Sequence, residues 1–477
     1  MLFLFNYLKL GIWSTIYYFR PSDLVFNIIV KNIKHCGPIV IKFVQWVLPK
    51  IETIYDIQKN SSDNEWFNSI EEVYENCDYH SLEYTKKKYK IDFKNDFDED
   101  YKEIKRVASG SIGQVYKITD KKGNTFAMKI IHPYIDYQLY FFSLLFLIIR
   151  IIPPFHNYIN YYFPINLHSF IKDFQIQTNL INEANHNIHF TNVYRENPYI
   201  IIPQLYKFSK EIIIMSYEEG ERFDTMDLSD YMNYKTILLL KLFNKNNETI
   251  HQFMHGDLHK GNWKVRINRS DVKLVIYDFG FCWNIPPLIS NNLVKMNQVF
   301  MDLLLEEKTN QCNIQNIQNI NNFAEIAKIF CGNKITLQTM KEEVTYLIQN
   351  EKLLFSDPIF FIRLILNTTR KENVTIDSYI LGCIIGHNQM DKMYDVIMKN
   401  NLNKNKEYNE RYVYFKYLDD VVNFCETKHI FKEYITYLQK ELDVEKKIKN
   451  IKRDGLFVYD KKLDTIPFLK ELSIQGS

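Results

Sequence analysis

Apolar residues in the first 60 positions cluster at helical spacing, around Leu24 to Val30 and Ile39 to Val47, so this stretch predicts helices. Lys59 to Asp100 is polar and charge-dense, with Lys86-Lys87-Lys88 and Asp98-Glu99-Asp100, and reads as a surface helix and linker. The texture then changes to short strands: Ile104 to Ala108, Gln114 to Thr119 and Thr125 to Ile131. Asp120-Lys121-Lys122-Gly123-Asn124 between the last two holds the Gly and Asn that a tight reversal favours. In the third strand Phe126, Met128 and Ile130 share one face, and Ala127, Lys129 and Ile131 share the other. Helical spacing returns from about Leu167 to Arg195, and Ile200 to Ile202 and Ile212 to Met215 supply two more strands. From Leu288 onward the pattern is largely helical, interrupted by the Asn/Gln/Ile tract Asn313 to Asn322, which predicts a loop or insertion.

This order of elements predicts an α+β, bilobal architecture. A helical N-terminal extension would occupy residues 1–99 and a strand-rich lobe with inserted helices 100–217. A helical lobe would follow over 218–400, and a helical C-terminal region over 401–477. A length of 477 residues with 46% apolar and 24% charged side chains supports a sizeable core. The net charge of +2 excludes a dedicated nucleic-acid binder. Seven scattered cysteines without a CxxC pair read as reduced thiols of an intracellular compartment. Met1 to Phe19 is apolar but carries Asn6 and Lys9 and no small-residue cleavage site, so it does not read as a signal peptide. Tyr140 to Ile149 is a run of ten residues, half of what a spanning helix needs, and predicts a helix that is buried or membrane-associated at an interface.

The chemistry concentrates in two segments. In His255-Gly256-Asp257-Leu258-His259-Lys260-Gly261-Asn262, Asp257 can orient or deprotonate an acceptor, and Asn262 can reach Mg²⁺. His255 can lock this loop through backbone hydrogen bonds, and Gly256 and Gly261 relieve crowding. Asp278, in Tyr277-Asp278-Phe279-Gly280, follows the strand-like run Val272 to Tyr277 and supplies a hard oxygen ligand for Mg²⁺ on phosphates. Carboxylate and amide ligands suit magnesium better than zinc, despite His251, His255 and His259 nearby. At this spacing the two segments define a protein-kinase-like phosphotransferase using ATP and Mg²⁺.

Lys129, on a strand, is the candidate for contact with the α- and β-phosphates, and Glu183 in an amide-rich helix is its candidate partner. Ala127, on the same strand face, can pack on adenine, and Met215 is assigned to the nucleotide site as well. The turn Ala108-Ser109-Gly110-Ser111-Ile112-Gly113 should cover the phosphates with backbone N–H groups.

These residues resemble the UbiB/aarF-type atypical kinases linked to coenzyme Q biosynthesis. Gly37-Pro38-Ile39-Val40-Ile41-Lys42-Phe43-Val44-Gln45 is similar to the family's GPxxIKxGQ extension, and Ser111 to Tyr116 to its SIAQVH loop. Ala127-Met128-Lys129 with His132-Pro133 is similar to VAVKVxHP. Glu183-Ala184-Asn185 with Phe190 and Pro203 is similar to EAxNxxxF…VP, and HGDLHKGN to HADPHPGN. The resemblance implies a kinase-like fold with the extension folded over the cleft and ATP binding and hydrolysis serving lipid-quinone metabolism. It leaves room for contact with a membrane, a lipid or a quinone precursor, and with protein partners of a biosynthetic complex.

The chain also departs from the family. Val44 replaces the glycine of KxGQ, although Lys42 and Gln45 remain, and the two acids of the ExD pair become Gln177 and Asn179. The loop Ala108-Ser109-Gly110 is nearer to a branch with an SG-type nucleotide loop. Lys42 is therefore expected to meet neutral acceptors, through an ordinary rather than a charge-assisted hydrogen bond, and the extension to be held loosely. Two other classes stay open: a small-molecule kinase of the aminoglycoside or choline kinase type, and a pseudokinase scaffold that binds nucleotide as a switch.

Overall fold

Thr125–Ile131 (β3) is the centre of a five-stranded antiparallel sheet. In a computed structural model of the chain it lies between Gly113–Asp120 (β2) and Ile212–Ser216 (β6), with Tyr101–Ser109 (β1) and Leu205–Phe208 (β5) at the edges. The structure describes residues 2–44, 77, 79–151, 167–226, 228, 230–259, 261–268, 271–292, 295, 317–331, 334–351, 353, 358–374, 418–437 and 439. Gln45 and Lys260 lie outside them. The alternation along β3 separates two cores, as the sequence pattern requires. Met128 and Ile130 join Tyr89, Phe97, Tyr116, Ile118, Ile212 and Ile214 on one side. Ile131, Ile213 and Met215 join Ile39, Phe170, Phe174, Leu180 and Ala184 on the other. The second side is where the helices pack, and it is the face that carries Lys129.

The N-terminal segment forms helices Leu2–Phe19 (α1) and Asp23–His35 (α2), then a helical stretch over residues 38–44 that brings Ile39 into the lobe's core. Leu82–Phe93 (α3) and the single turn Phe97–Asp100 (α4) lead into β1. Ile135–Ile151 (α5) follows β3. It is not enclosed: Leu139 is buried, whereas Tyr140, Leu144, Leu147, Ile148 and Ile151 are exposed. Among the described residues no helix is long and apolar enough to cross a membrane.

The helix expected from Leu167 to Arg195 is two helices, Leu167–Gln177 (α6) and Leu180–Tyr194 (α7). Asn179 causes the break, because its side-chain oxygen accepts the Ile181 N–H and caps α7. This sets the angle at which α7 presents Glu183 to β3.

Below the sheet, Ile200–Ile201 (β4) pairs in parallel with Asp271–Ile276 (β9), which pairs antiparallel with Trp263–Asn268 (β8). Phe253–His255 (β7) pairs with Cys282–Asn284 (β10), so the segment that leaves β7 lies beside the one that enters β10. Asp230–Asn246 (α8) packs on this layer through Leu238, Leu239, Leu242 and Phe243. Ile317–Phe330 (α9), Leu337–Gln349 (α10) and Pro358–Lys371 (α11) form a further helical core. From Ile317 the Asn/Gln/Ile tract is helical rather than a loop, because Phe323, Ala324 and Ala327 fall on one buried stripe. The five described cysteines, Cys36, Cys77, Cys282, Cys331 and Cys425, are all buried.

Candidate active site

Lys129 is the hub. Its ammonium lies 2.9 Å from Glu183 Oε2 and 2.8 Å from Asp278 Oδ1, joining β3, α7 and the segment after β9. Glu183 is 1% exposed, and its Oε1 has no hydrogen-bond partner among the described residues. Burial pushes the Glu183 carboxyl up, and Lys129 only partly offsets this. Burial would lower Lys129, but the charges of Asp278 and Glu183 hold it above the ordinary lysine value. Burial also opposes ionisation of Asp278, yet Lys129, then Lys42 and the Gly280 N–H, keep it well below the usual carboxylate range.

The backbone sets Asp278 apart. Its φ of 53° is left-handed, a conformation an L residue adopts at a cost of about 1–3 kcal/mol. The Gly280 N–H donates to Asp278 Oδ1 at 3.2 Å and secures the turn. On the far side His186 Nδ1 donates to the Phe279 carbonyl at 2.8 Å. His186 lies one turn after Glu183 on α7, so a single helix fixes both the lysine's partner and the loop that carries Asp278. Sequence reading missed this residue; its i, i+3 spacing from Glu183 was the available signal.

The loop after β7 is built around His255. Its Nε2–H donates to the Tyr277 carbonyl at 2.9 Å, while Nδ1 accepts the Asp257 N–H at 3.4 Å. Burial lowers the imidazole's affinity for a proton, and the neutral ring suits one donor and one acceptor. Asn262 Nδ2 donates to the Asp257 carbonyl at 2.7 Å. That bond uses the amide's nitrogen and leaves its oxygen as the atom available to a cation. Asp278 Oδ2 is likewise left over, since Oδ1 serves Lys129 and Gly280. Two hard oxygens beside a lysine that can meet phosphate are a donor set suited to Mg²⁺.

Lys42 departs from expectation. Its Nζ lies 2.7 Å from Asp257 Oδ2, a charge-assisted contact with the acid of the loop. Gln177 Nε2 turns back to the Asp173 carbonyl at 3.3 Å, and Asn179 caps α7. Both amides find partners at their own helix ends, and the ammonium pairs with the Asp257 carboxylate instead. Burial works against the Asp257 charge, but Lys42, followed by His259, brings its pKa below the ordinary value.

The other predicted residues fall around this centre. Ala127 and Met215 are cross-strand neighbours in β3 and β6, the second being buried. Ala108 and Ser109 end β1; Gly110, Ser111 and Ile112 form the turn; Gly113 opens β2. A Cβ on Gly113 would sit 2.5 Å from the Ile130 carbonyl oxygen, so only glycine lets the turn press against β3.

An α+β fold with a lysine bridged to a helix carboxylate and a metal-type aspartate, above an Asp–Asn loop, defines the protein-kinase-like class. Residues 72–312 match the ABC1 atypical kinase-like domain, and the chain belongs to that family. A curated relative, a probable serine/threonine-protein kinase abkC of Dictyostelium discoideum, is 24% identical over 261 residues. That match covers 52% of this chain and 36% of the relative, so the chain spans about a third of that protein's length. Among solved structures, the Rv3197–erythromycin complex of Mycobacterium tuberculosis aligns at 15% identity with a TM-score of 0.38, covering 69% of this chain and 85% of the other. The Rio2 kinase–ADP/Mg²⁺–phosphoaspartate complex of Chaetomium thermophilum aligns at 11% identity with a TM-score of 0.27, covering 72% and 87%.

Proposed function

We propose that this chain binds Mg-ATP and hydrolyses it or transfers its γ-phosphoryl group, as an atypical kinase or ATPase. The Glu183–Lys129–Asp278 bridge carries the reading, because it is the arrangement that positions a lysine for the α- and β-phosphates. Asn262 and Asp278 would hold the cation, which would supply positive charge against that developing on the phosphates. Asp257 is the group to orient or deprotonate the acceptor, and the turn Ala108 to Gly113 covers the phosphates.

The Lys42–Asp257 contact favours a second reading in which nucleotide is bound and transfer is restrained, since the acid is already engaged. Contact with a lipid surface fits the exposed Phe5, Leu8, Ile12 and Ile16 of α1 and the exposed side of α5. The two helices meet through Tyr7, Phe141 and Phe142. Lys9, Arg20, Lys31 and Lys34 against the single acid Asp23 in residues 2–35 suit an anionic surface. A role in lipid-quinone metabolism rests on the family resemblance.

The test is ATP hydrolysis by purified full-length protein, with and without anionic vesicles and a phenolic quinone-precursor mimic, alongside Asp278→Asn. Mg²⁺-dependent turnover abolished by this substitution is expected. Turnover unchanged by it would remove the metal assignment, and indifference to vesicles and phenol would remove the lipid-quinone role.

A further inference from the structure

His132, directly after β3, grips the phosphate-covering turn at two points. Its backbone N–H donates to the Ile112 carbonyl at 3.0 Å, and its Nε2 lies 2.9 Å from the Gly110 carbonyl, with Ser109 Oγ at 3.5 Å. A carbonyl can only accept, so Nε2 must carry the proton and Nδ1 of the neutral ring must accept. Its neighbour there is His80 Nδ1, 3.0 Å away, which must therefore donate. His80 Nε2 is then an acceptor and meets Thr85 Oγ1 at 3.0 Å. Thr85 Oγ1 contacts Tyr116 OH at 2.8 Å, and Gln114 Nε2 donates to Tyr116 OH at 2.6 Å. Gln114 Oε1 accepts the His80 backbone N–H at 3.0 Å and closes the circuit. With both rings neutral, the Gln114 amide at one end and the Gly110 carbonyl at the other give the chain one direction. The Thr85 hydroxyl lies 3.5 Å from the Ser81 carbonyl as well, farther than the 3.0 Å to His80 Nε2. His80, Thr85, Gln114, Tyr116 and His132 are all buried.

We infer that His132 is a positioning residue for the nucleotide turn, held in its Nε2–H tautomer by a one-way hydrogen-bond relay from Gln114 through Tyr116, Thr85 and His80. A Gly110 carbonyl tied back to His132 is kept from facing an anionic phosphate, while the Gly110 N–H is given to the Gly113 carbonyl at 3.0 Å and holds the turn closed. The relay also wires α3, through Thr85 and the preceding His80, into a turn that strand pairing alone would hold only by its ends. The turn's bearing on nucleotide rests on the function proposed above; the relay itself does not.

Hydrogen–deuterium exchange of the 108–116 peptide in full-length protein without nucleotide tests the relay, paired with Mg-ATP affinity. His132→Ala should speed exchange of the peptide and weaken Mg-ATP binding about 5- to 10-fold, the worth of one buried hydrogen bond. His132→Gln, whose amide Nε2 donates without any help, should restore both. His80→Leu should act like His132→Ala in the native background and have little effect beside His132→Gln, because an amide needs no tautomer selection. An undiminished His80→Leu effect in the Gln background, or no rescue by Gln, would overturn the inference. Failure of the unaltered protein to bind Mg-ATP would overturn the proposed function and the turn's bearing on nucleotide, while the exchange data still decide the relay.

Discussion

Lys42 Nζ meets Asp257 Oδ2 at 2.7 Å, and the lysine's side chain is 9% exposed. The extension is thus fastened to the acid that would serve the acceptor, rather than held loosely on amides. A charge-assisted hydrogen bond in a buried setting is worth about 1.5–3 kcal/mol, or roughly tenfold and more in an equilibrium. Lys42→Met should therefore raise ATP turnover about tenfold, as Asp257 is released. Loss of the ammonium also lets the Asp257 pKa rise, so the acid limb of the rate profile should move to higher pH. Steady-state turnover against pH for both proteins checks the two effects together.

Asp278→Asn keeps the side chain's shape but removes the charge that faces Lys129 and would face the cation. Nucleotide affinity in the presence of Mg²⁺ should fall about 10- to 100-fold, while affinity measured with excess chelator should change much less. Titration of a fluorescent ATP analogue under both conditions separates these terms. Equal losses would point to Lys129 displacement instead of a lost metal ligand.

Glu183 supplies a pH dependence of its own. Burial raises its pKa to about 7, so the carboxyl gains a proton as pH falls through that value. The protonated form gives Lys129 no opposite charge, and the ammonium is then held by Asp278 alone. Mg-ATP affinity should accordingly weaken between about pH 8 and pH 6. Glu183→Gln should show the weak affinity at both ends, with this step absent from the binding curve.

The fold's outline was readable because β3 alternates between two faces that each meet a core, and because the turn residues Gly123 and Asn124 mark the hairpin. The edge strand β5 escaped: Leu205-Tyr206-Lys207-Phe208 is half exposed and carries no apolar run. The break between α6 and α7 was hidden because Asn179 sits within continuous helical spacing, and only its capping bond reveals a boundary. Lys129, Glu183, Asp257, Asn262 and Asp278 were singled out by the motifs they stand in and the spacing between them, not by residue type, since the chain carries 59 Lys and Arg and 57 Asp and Glu. The target of Lys42 did not, since a motif specifies that a lysine is present and not which of several oxygens it reaches. His80 was invisible for a similar reason, as its role depends on a hydrogen-bond direction set 52 residues away at His132.

Gly256 yields a prediction about shape rather than charge. A Cβ there would lie 1.7 Å from Trp283 Cζ3, so the indole would have to move. Trp283 faces Met254 across the β7–β10 pair and stacks edge-on with Phe281 at 4.7 Å. The Phe281 carbonyl in turn accepts the Gly256 N–H at 2.8 Å. Gly256→Ala must push the ring off this platform and strain the short pair that aligns Asp257 with Asp278. Overpacking of this kind costs about 1–3 kcal/mol, which lowers Tm by about 2–4 °C per kcal/mol in a domain of this size. Trp283→Leu removes the colliding ring at some cost in packing. If the clash is the cause, adding Gly256→Ala to Trp283→Leu should lower Tm far less than it does alone. A thermal-melt cycle over the four proteins measures that coupling, and additive losses would place the role of Gly256 in its backbone instead of in the space it leaves for Trp283.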